Sequence, residues 1–518
     1  MSYFARPDWA KPAIHSFSGS ISIGETELTF PLERAYYPGE NLFPAVTLEF
    51  VSHEDELIPL RSQFLVQDGE SGSLWNVLVG TGATWYEEED GAWSRASVPL
   101  SLTDNYIGQV RNCVATFVFT DDSISRICLQ CSQETADWND EQVGDIRAVL
   151  PATYRPGTSA ASQAAIEKRL RTKASRLPVS PLSDIDANHA LSDYFGKPGL
   201  TRAPTSLGAV VLDGVVYLHP PRTRHGDYPY PGEMRHAVYS VTKSMTGALA
   251  LFHFAQRYGE SVFEERITDH VPALAAHPGW QGVTFSNTLN MVTGTQGGEG
   301  GNQLYEVLIK ARSAEEAIGN IAGLGDASAR PGEAFHYAST NLFVLSCALQ
   351  GYVEKREGPG VSYWDLIRDD VLIPMGLEDF SLRRTVEADG SAGLPILGYG
   401  AWPTLDEAAQ IALLFSREGI YQGRQLLHPE KCREALGRSA WSGYATGNED
   451  RGSRYRHSFW SEDVRAHGCN VDVTYMLGYG GNYVWFFPSG AVALRFMDEY
   501  DLAFRDLVKA VEAIKPSC

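Results

Sequence analysis

The stretch Tyr239-Ser240-Val241-Thr242-Lys243-Ser244-Met245-Thr246-Gly247 places a serine hydroxyl three residues before a lysine. On a helix that spacing sets both side chains on one face. A serine at a helix N-terminus also sits where backbone N–H groups and the helix dipole favour developing negative charge. A lysine one turn on, once desolvated, holds its proton less tightly and can act as a base toward the serine. Ser240 and Lys243 together therefore suit an activated nucleophile and acyl-transfer chemistry. The same spacing also fits a helix cap followed by a solvated lysine, so the surrounding elements must decide. No other lysine of the chain has a serine three residues before it, and neither a Gly-x-Ser-x-Gly elbow nor a His-Glu-x-x-His pattern occurs.

The helix that begins near Ser240 continues through Ala248-Leu249-Ala250-Leu251-Phe252 and should stop at Gly259. It is apolar almost all round, which predicts burial in the middle of a domain and desolvation of Lys243. Upstream, apolar runs on either side of Asp213-Gly214 predict a hairpin over Gly208–Tyr217. Downstream, Ile267–Leu274 and Val283–Gly294 precede Gly297-Gly298-Glu299-Gly300-Gly301, which lacks phosphate-loop spacing and reads as a flexible loop. Arg330–Asn341 leads into an apolar helix from Leu342, and Val371–Leu377 reads as a turn after a helix. Leu405–Glu418 reads as a helix closed by Gly419. Gly478-Tyr479-Gly480-Gly481-Asn482 enters the strand Tyr483–Phe487, a second strand spans Ala491–Phe496, and a helix over Leu502–Ile514 ends the chain.

A chain of 518 residues predicts two or three domains. Residues 1–155 read as a β-rich domain of sandwich or barrel type, with alternating or β-branched runs at Ser18–Gly24, Val46–Val51 and Cys113–Phe119 and a hairpin tip at Glu87–Gly91. No catalytic constellation appears there. Residues 156–204 read as a helix (Ala160–Arg176) and a linker through Leu177–Pro181, Lys197-Pro198-Gly199 and Ala203-Pro204, and residues 205–518 as the catalytic domain. A formal net charge of −21 argues against nucleic acid or an anionic membrane as partner. The N-terminus has no apolar leader pattern and no run of about 18 apolar residues exists, so a cytoplasmic protein with reduced thiols is expected. Cys128 and Cys131 have metal-ligand spacing, but no second pair follows, and buried structural thiols are expected instead.

Taken in order, Ser240-x-x-Lys243, Asp269–Pro272, Leu289–Gly294, Pro331-Gly332 to Tyr337, Pro374-Met375-Gly376 and Gly480-Gly481 resemble the serine β-lactamase and penicillin-binding-protein-like superfamily. The nearer likeness is to its class C β-lactamase-like branch, with family VIII esterases, D-aminopeptidases and 6-aminohexanoate-dimer hydrolases, over about residues 205–500. The resemblance implies an α/β (α+β) fold: an antiparallel sheet flanked by helices, combining the Gly208–Tyr217 hairpin with the C-terminal strands, beside a helical subdomain. It implies Ser240 as the acylated nucleophile, Lys243 as its neighbouring lysine and Tyr337 as the tyrosine of the second motif. That motif is Tyr337-Ala338-Ser339, with serine at the third position as in the nylon-oligomer hydrolase type, which tilts the expectation toward amides. A tyrosinate at Tyr337 and a neutral tyrosine relaying protons through Lys243 both remain open.

The family's Lys-Thr-Gly is missing; Gly478-Tyr479-Gly480-Gly481 stands in its place. A backbone N–H there, of Gly481 with Gly480 and Tyr479 beside it, is expected to complete an oxyanion hole with that of Ser240. Ser339 and Asn341 are candidate supporting donors. The missing lysine removes a group used to hold a β-lactam carboxylate and shifts the expected substrates to small-molecule esters and linear amides. No metal or organic cofactor is expected. The rivals are an acyltransferase using the same acyl-enzyme and a non-catalytic acyl-sensing or scaffold protein. Trp441, Trp460, Tyr479 and Trp485 are candidate pocket aromatics, with core packing the alternative.

Overall fold

The computed structural model describes residues 4–29, 38–64, 72–104, 108–133, 146–195, 207–219, 221–223, 226–300, 302–325, 328–387, 392–447, 452–497 and 505–518. The expected loose segment through Lys197–Gly199 and Ala203-Pro204, and the start of the last helix at Leu502, lie outside these residues.

The N-terminal part is one antiparallel sheet of 11 strands among the described residues. Its path runs from Ile146–Leu150 through Ile127–Gln133, Val110–Phe119 and Ser94–Asp104 to Gly82–Trp85, Glu56–Pro59, Val46–His53, Ser18–Ile23 and Ala152–Pro156. Trp75–Val79 also pairs with Ser94–Asp104. The two ends of the path, Ile146–Leu150 and Ala152–Pro156, are separated in sequence only by Pro151, so the edges meet and the sheet curls into a barrel. Its own core includes Phe17, Trp75, Val77, Leu100, Leu102 and Phe119. The expected hairpin tip lies between Gly82–Trp85 and Ser94–Asp104, as a short helical turn over Glu88–Asp90.

The helix Ser162–Ser175 leads to Val179–Pro181, which is a strand rather than linker: it pairs in parallel with Val215–His219 at the edge of a second sheet. That sheet continues with Leu207–Leu212, Val492–Phe496, Asn482–Phe486, Cys469–Gly478, Phe459–Ala466, Arg454–Arg456 and Tyr444–Ala445. The hairpin turn forms because Asp213 (φ 50°) and Gly214 (φ 85°) both take left-handed backbone, which matches the strand twist. Leu207–Leu212 pairs with Val492–Phe496, joining residues nearly three hundred positions apart in one sheet as expected. Helices flank it: Leu405–Ser416, capped by Thr404 and Glu407, packs on Asn482–Phe486 and Val492–Phe496, and Arg505–Ile514 packs on Phe459–Ala466. Among the described residues no helix is long and apolar enough to cross a membrane.

The cysteine expectation needs correction. Cys113 is disulfide-bonded to Cys131 and Cys469 to Cys518. Cys113 and Cys131 are register partners on neighbouring antiparallel strands, which brings their side chains together. Cys128 is exposed, not buried, because positions three apart on a strand face opposite sides.

His236, on the segment leading to Ser240, is fully buried against Phe496, and among the described residues neither ring nitrogen has a hydrogen-bond partner. Burial, with the Arg235 charge beside it, pulls its pKa from 6.5 down to about 3. Above pH 6.5 the ring is neutral folded or unfolded; below it, only the unfolded chain takes up the proton until about pH 3. Stability should therefore fall across this window by on the order of 1 kcal/mol per pH unit from this group. In urea denaturation at a series of pH values, His236→Phe is expected to flatten that slope relative to wild type.

Candidate active site

Residues 238–240 form a tight turn: the N–H groups of Val241, Thr242 and Lys243 donate to the carbonyls of Val238, Tyr239 and Ser240. Tyr239 holds φ at 45°, a left-handed conformation that costs a bulky residue on the order of 1–3 kcal/mol. The turn presents Ser240 half-exposed, and the helix proper starts at Val241. Its stretch Lys243–Ala248 is wound as a π-helix before Leu249–Tyr258 continues as α-helix, a local widening often found at functional sites. Gly259, at φ 96°, ends it as expected.

Lys243 is only 1% exposed. Its Nζ lies 2.7 Å from Ser240 Oγ, 2.9 Å from Ser339 Oγ and 2.7 Å from the Gly398 carbonyl. It also stands 4.8 Å from the ring centroid of Tyr337. The structure thus brings together Ser240, Lys243, Tyr337 and Ser339. Thr242 fixes the neighbouring loop by accepting the Ala401 N–H at 3.1 Å.

Tyr337 is half-buried and lies against Trp460 at 5.5 Å and edge-on to Tyr455. Ser339 opens the helix Ser339–Glu357, and its backbone N–H donates to Glu299 Oε2 at 2.5 Å. A carboxylate at a helix N-terminus satisfies an orphan donor and the helix dipole together. Glu299 comes from the glycine-rich stretch read as a flexible loop, so that reading missed a residue at the site; its signal was a lone carboxylate among four glycines. Asn341 does not join Ser240 or Lys243. Its amide donates to Met291 Sδ at 3.6 Å, and the Ala338 N–H reaches the same sulfur at 3.5 Å. Burial pushes the phenol pKa of Tyr399 and of Tyr455 up, and the Glu299 charge adds to it, so both stay protonated beside the site.

The third-motif strand, Cys469–Gly478, runs past its neighbour Phe459–Ala466: pairing stops at Trp460 with Tyr475. Beyond that point the strand approaches the turn that carries Ser240. A Cβ on Gly478 would lie 2.0 Å from the Val238 carbonyl oxygen, so glycine is required there by contact. Gly480 (φ 79°) and Gly481 (φ 83°) form the turn into Asn482–Phe486. Asn482 pins this turn, donating to the Tyr479 carbonyl at 2.6 Å and accepting the Met497 N–H at 3.1 Å. Tyr479 is 47% exposed and meets Tyr239 edge-on, at the rim of the site. Trp485 is instead a core residue stacked on Tyr483, and Trp441 packs on His457. Among the described residues no group of three or more His, Cys, Asp and Glu side chains is gathered to hold a metal ion.

The sequence profile of the Beta-lactamase family matches residues 195–497, more than half of the 518, and the chain belongs to that family. No curated protein sequence matches it. Similar solved structures include a family VIII carboxylesterase (14% identity, TM-score 0.48, covering 65% of this chain and 98% of that one). A penicillin binding protein from Bacillus halodurans has 15% identity and TM-score 0.45, covering 65% and 99%. A D-stereospecific amidohydrolase from Streptomyces has 11% identity and TM-score 0.46, covering 62% and 97%.

Gly478→Ala should force the strand and the Ser240 turn apart. A loss of about 1–3 kcal/mol in urea denaturation is expected, and an unchanged midpoint would show that the turn yields freely.

Proposed function

We propose that the protein is a serine hydrolase that cleaves an ester or linear amide through an acyl-enzyme on Ser240. The observation that carries this reading is the placement of Lys243. A buried neutral amine has two N–H donors and one lone pair. In that form Nζ donates to the Gly398 carbonyl and Ser339 Oγ, and at 2.7 Å from Ser240 Oγ its lone pair is in reach of the hydroxyl proton.

In the first step Ser240 Oγ bonds to the substrate carbonyl carbon while its proton passes to Lys243. The carbonyl π pair moves onto oxygen, where the N–H of Ser240 and one from Tyr479–Gly481 stabilise the charge. Collapse expels the alcohol or amine, which takes the proton back by way of Lys243 and Tyr337. Water then attacks the acyl-enzyme, with the same groups accepting its proton, and frees the acid. The third-motif strand offers glycines and the exposed ring of Tyr479 where the family's lysine would stand, so neutral substrates suit it better than a β-lactam carboxylate.

The test is intact-protein mass spectrometry after a fluorophosphonate probe, together with turnover of p-nitrophenyl esters, linear anilides and nitrocefin. An adduct on Ser240 is expected, absent in Ser240→Ala, with kcat for the best ester falling by about a thousandfold or more in that variant. Undiminished ester turnover by Ser240→Ala would overturn the nucleophile. Nitrocefin hydrolysis as fast as the best ester would overturn the substrate class.

A further inference from the structure

The strands of the N-terminal sheet nearest the site are buried on both faces. On Val110–Phe119, Cys113 and Ala115 face the sheet's own core. Val110, Asn112 and Val114 alternate with them and face the other way. Leu78 and Asn112 both sit opposite Ser101 on the strand between theirs, so Leu78, Ser101 and Asn112 form a row on that outer face. The row meets the segment that carries the nucleophile.

Two contacts define the meeting. Asn112 is fully buried and treats the backbone of Arg235 as a neighbouring strand would. Its Oδ1 accepts the Arg235 N–H at 3.0 Å and its Nδ2 donates to the Arg235 carbonyl at 2.9 Å. Ser101 Oγ donates to the same Oδ1 at 2.9 Å, which fixes the amide orientation. Four residues on, the ring of Tyr239, the left-handed residue before Ser240, is held in a cluster of Leu78, Val110, Ala237 and Trp402. Trp402 is tied to both bodies: its Nε1 donates to the Gly108 carbonyl at 3.1 Å, and its own carbonyl accepts from Arg235 Nη1 at 2.8 Å.

We propose that this outer face of the N-terminal sheet is the mount of the nucleophile turn, with Asn112 and Val110 as positioning residues for Ser240. Asn112 fixes where the segment enters, and Val110 with Leu78 clamps the strained Tyr239 ring. Their effect is on where Ser240 Oγ stands relative to Lys243, and a displacement near 1 Å is enough to slow such a step about a hundredfold. The proposal rests on Ser240 as the nucleophile, and the experiment separates the two.

Three full-length variants test it: Asn112→Leu, Val110→Ala and, as control, Tyr230→Phe. The control deletes a hydrogen bond across the same interface, from Tyr230 Oη to the Ser97 carbonyl, well before the turn. Labelling rate at Ser240 by the fluorophosphonate, kcat and KM on the best ester, and hydrogen–deuterium exchange of peptides spanning residues 235–242 are measured well below each thermal midpoint. Asn112→Leu and Val110→Ala are expected to lower labelling and kcat by about 10- to 100-fold, with KM within about twofold and faster exchange in the turn. Tyr230→Phe is expected to match wild type in all of these. Wild-type labelling and exchange in both Asn112→Leu and Val110→Ala would overturn the proposal, as would an equal loss in Tyr230→Phe, since interface loosening alone would then explain it. Should Asn112→Leu fail to fold, Val110→Ala decides alone. If wild type itself shows no adduct on Ser240, the hydrolase reading fails, and exchange in the turn decides the mount by itself.

Discussion

Lys243 has almost no contact with solvent, so the protein must fill its hydrogen-bonding valence. Three elements meet at its Nζ: the turn before its own helix through Ser240, the first residue of the next helix through Ser339, and the loop carbonyl of Gly398. Moving any one of them leaves a buried polar group unmatched, at about 1–3 kcal/mol each. The last two are secured in turn. Ser339 is held by Glu299, and its neighbour Ala338 by the Met291 sulfur. The loop of Gly398 is held through Ala401 on Thr242 and Trp402 on Gly108.

Backbone strain gathers around the same helix. Tyr239, Met291, His457 and Ser458 all take positive φ without being glycine. Each is over-determined by side-chain contacts. Met291 is trapped by the two donors to its sulfur, and His457 by Asn290 Oδ1 on its backbone N–H at 2.6 Å and Glu434 on its Nε2 at 2.8 Å. Ser458 offers its carbonyl to Ser244 Oγ at 2.6 Å, one residue beyond Lys243. Strain of this kind persists only where the surroundings fix it.

The residues legible in sequence were those whose side chains act at a fixed spacing along one element. Ser240 and Lys243 share a helix face, and Tyr337 precedes a helix in an ordered series of motifs. The hairpin at Asp213-Gly214 was legible because turn chemistry is local. Contributions made by backbone atoms were not: nothing in the residue type of Gly398 announces that its carbonyl receives a lysine. Glu299 was missed because a glycine-rich stretch carries no periodicity to say where its one charged side chain points. The pairing of Cys113 with Cys131 depends on strand register, and the closure of the N-terminal sheet at Pro151 on which edges meet. Both are long-range facts that local propensity does not contain.

The same limit applies to Val110–Phe119, which reads in sequence as a strand of an appended module. Alternation along it serves two different cores, since Cys113 and Ala115 pack inward while Val110 and Val114 pack toward the segment that leads to Ser240. Removing the N-terminal sheet would expose Met234, Ala237, Tyr239 and Trp402, which Leu78, Val110 and Val114 cover; a buried methionine side chain alone is worth about 1.5–3 kcal/mol. It would also strip both backbone partners from Arg235, whose guanidinium anchors the Trp402 and Asp379 carbonyls. The helix that follows Ser240 is built from the second sheet's part of the chain, but the conformation of the turn before it is not stabilised by that part alone. The left-handed Tyr239 needs packing around its ring, and one side of that packing belongs to the N-terminal sheet.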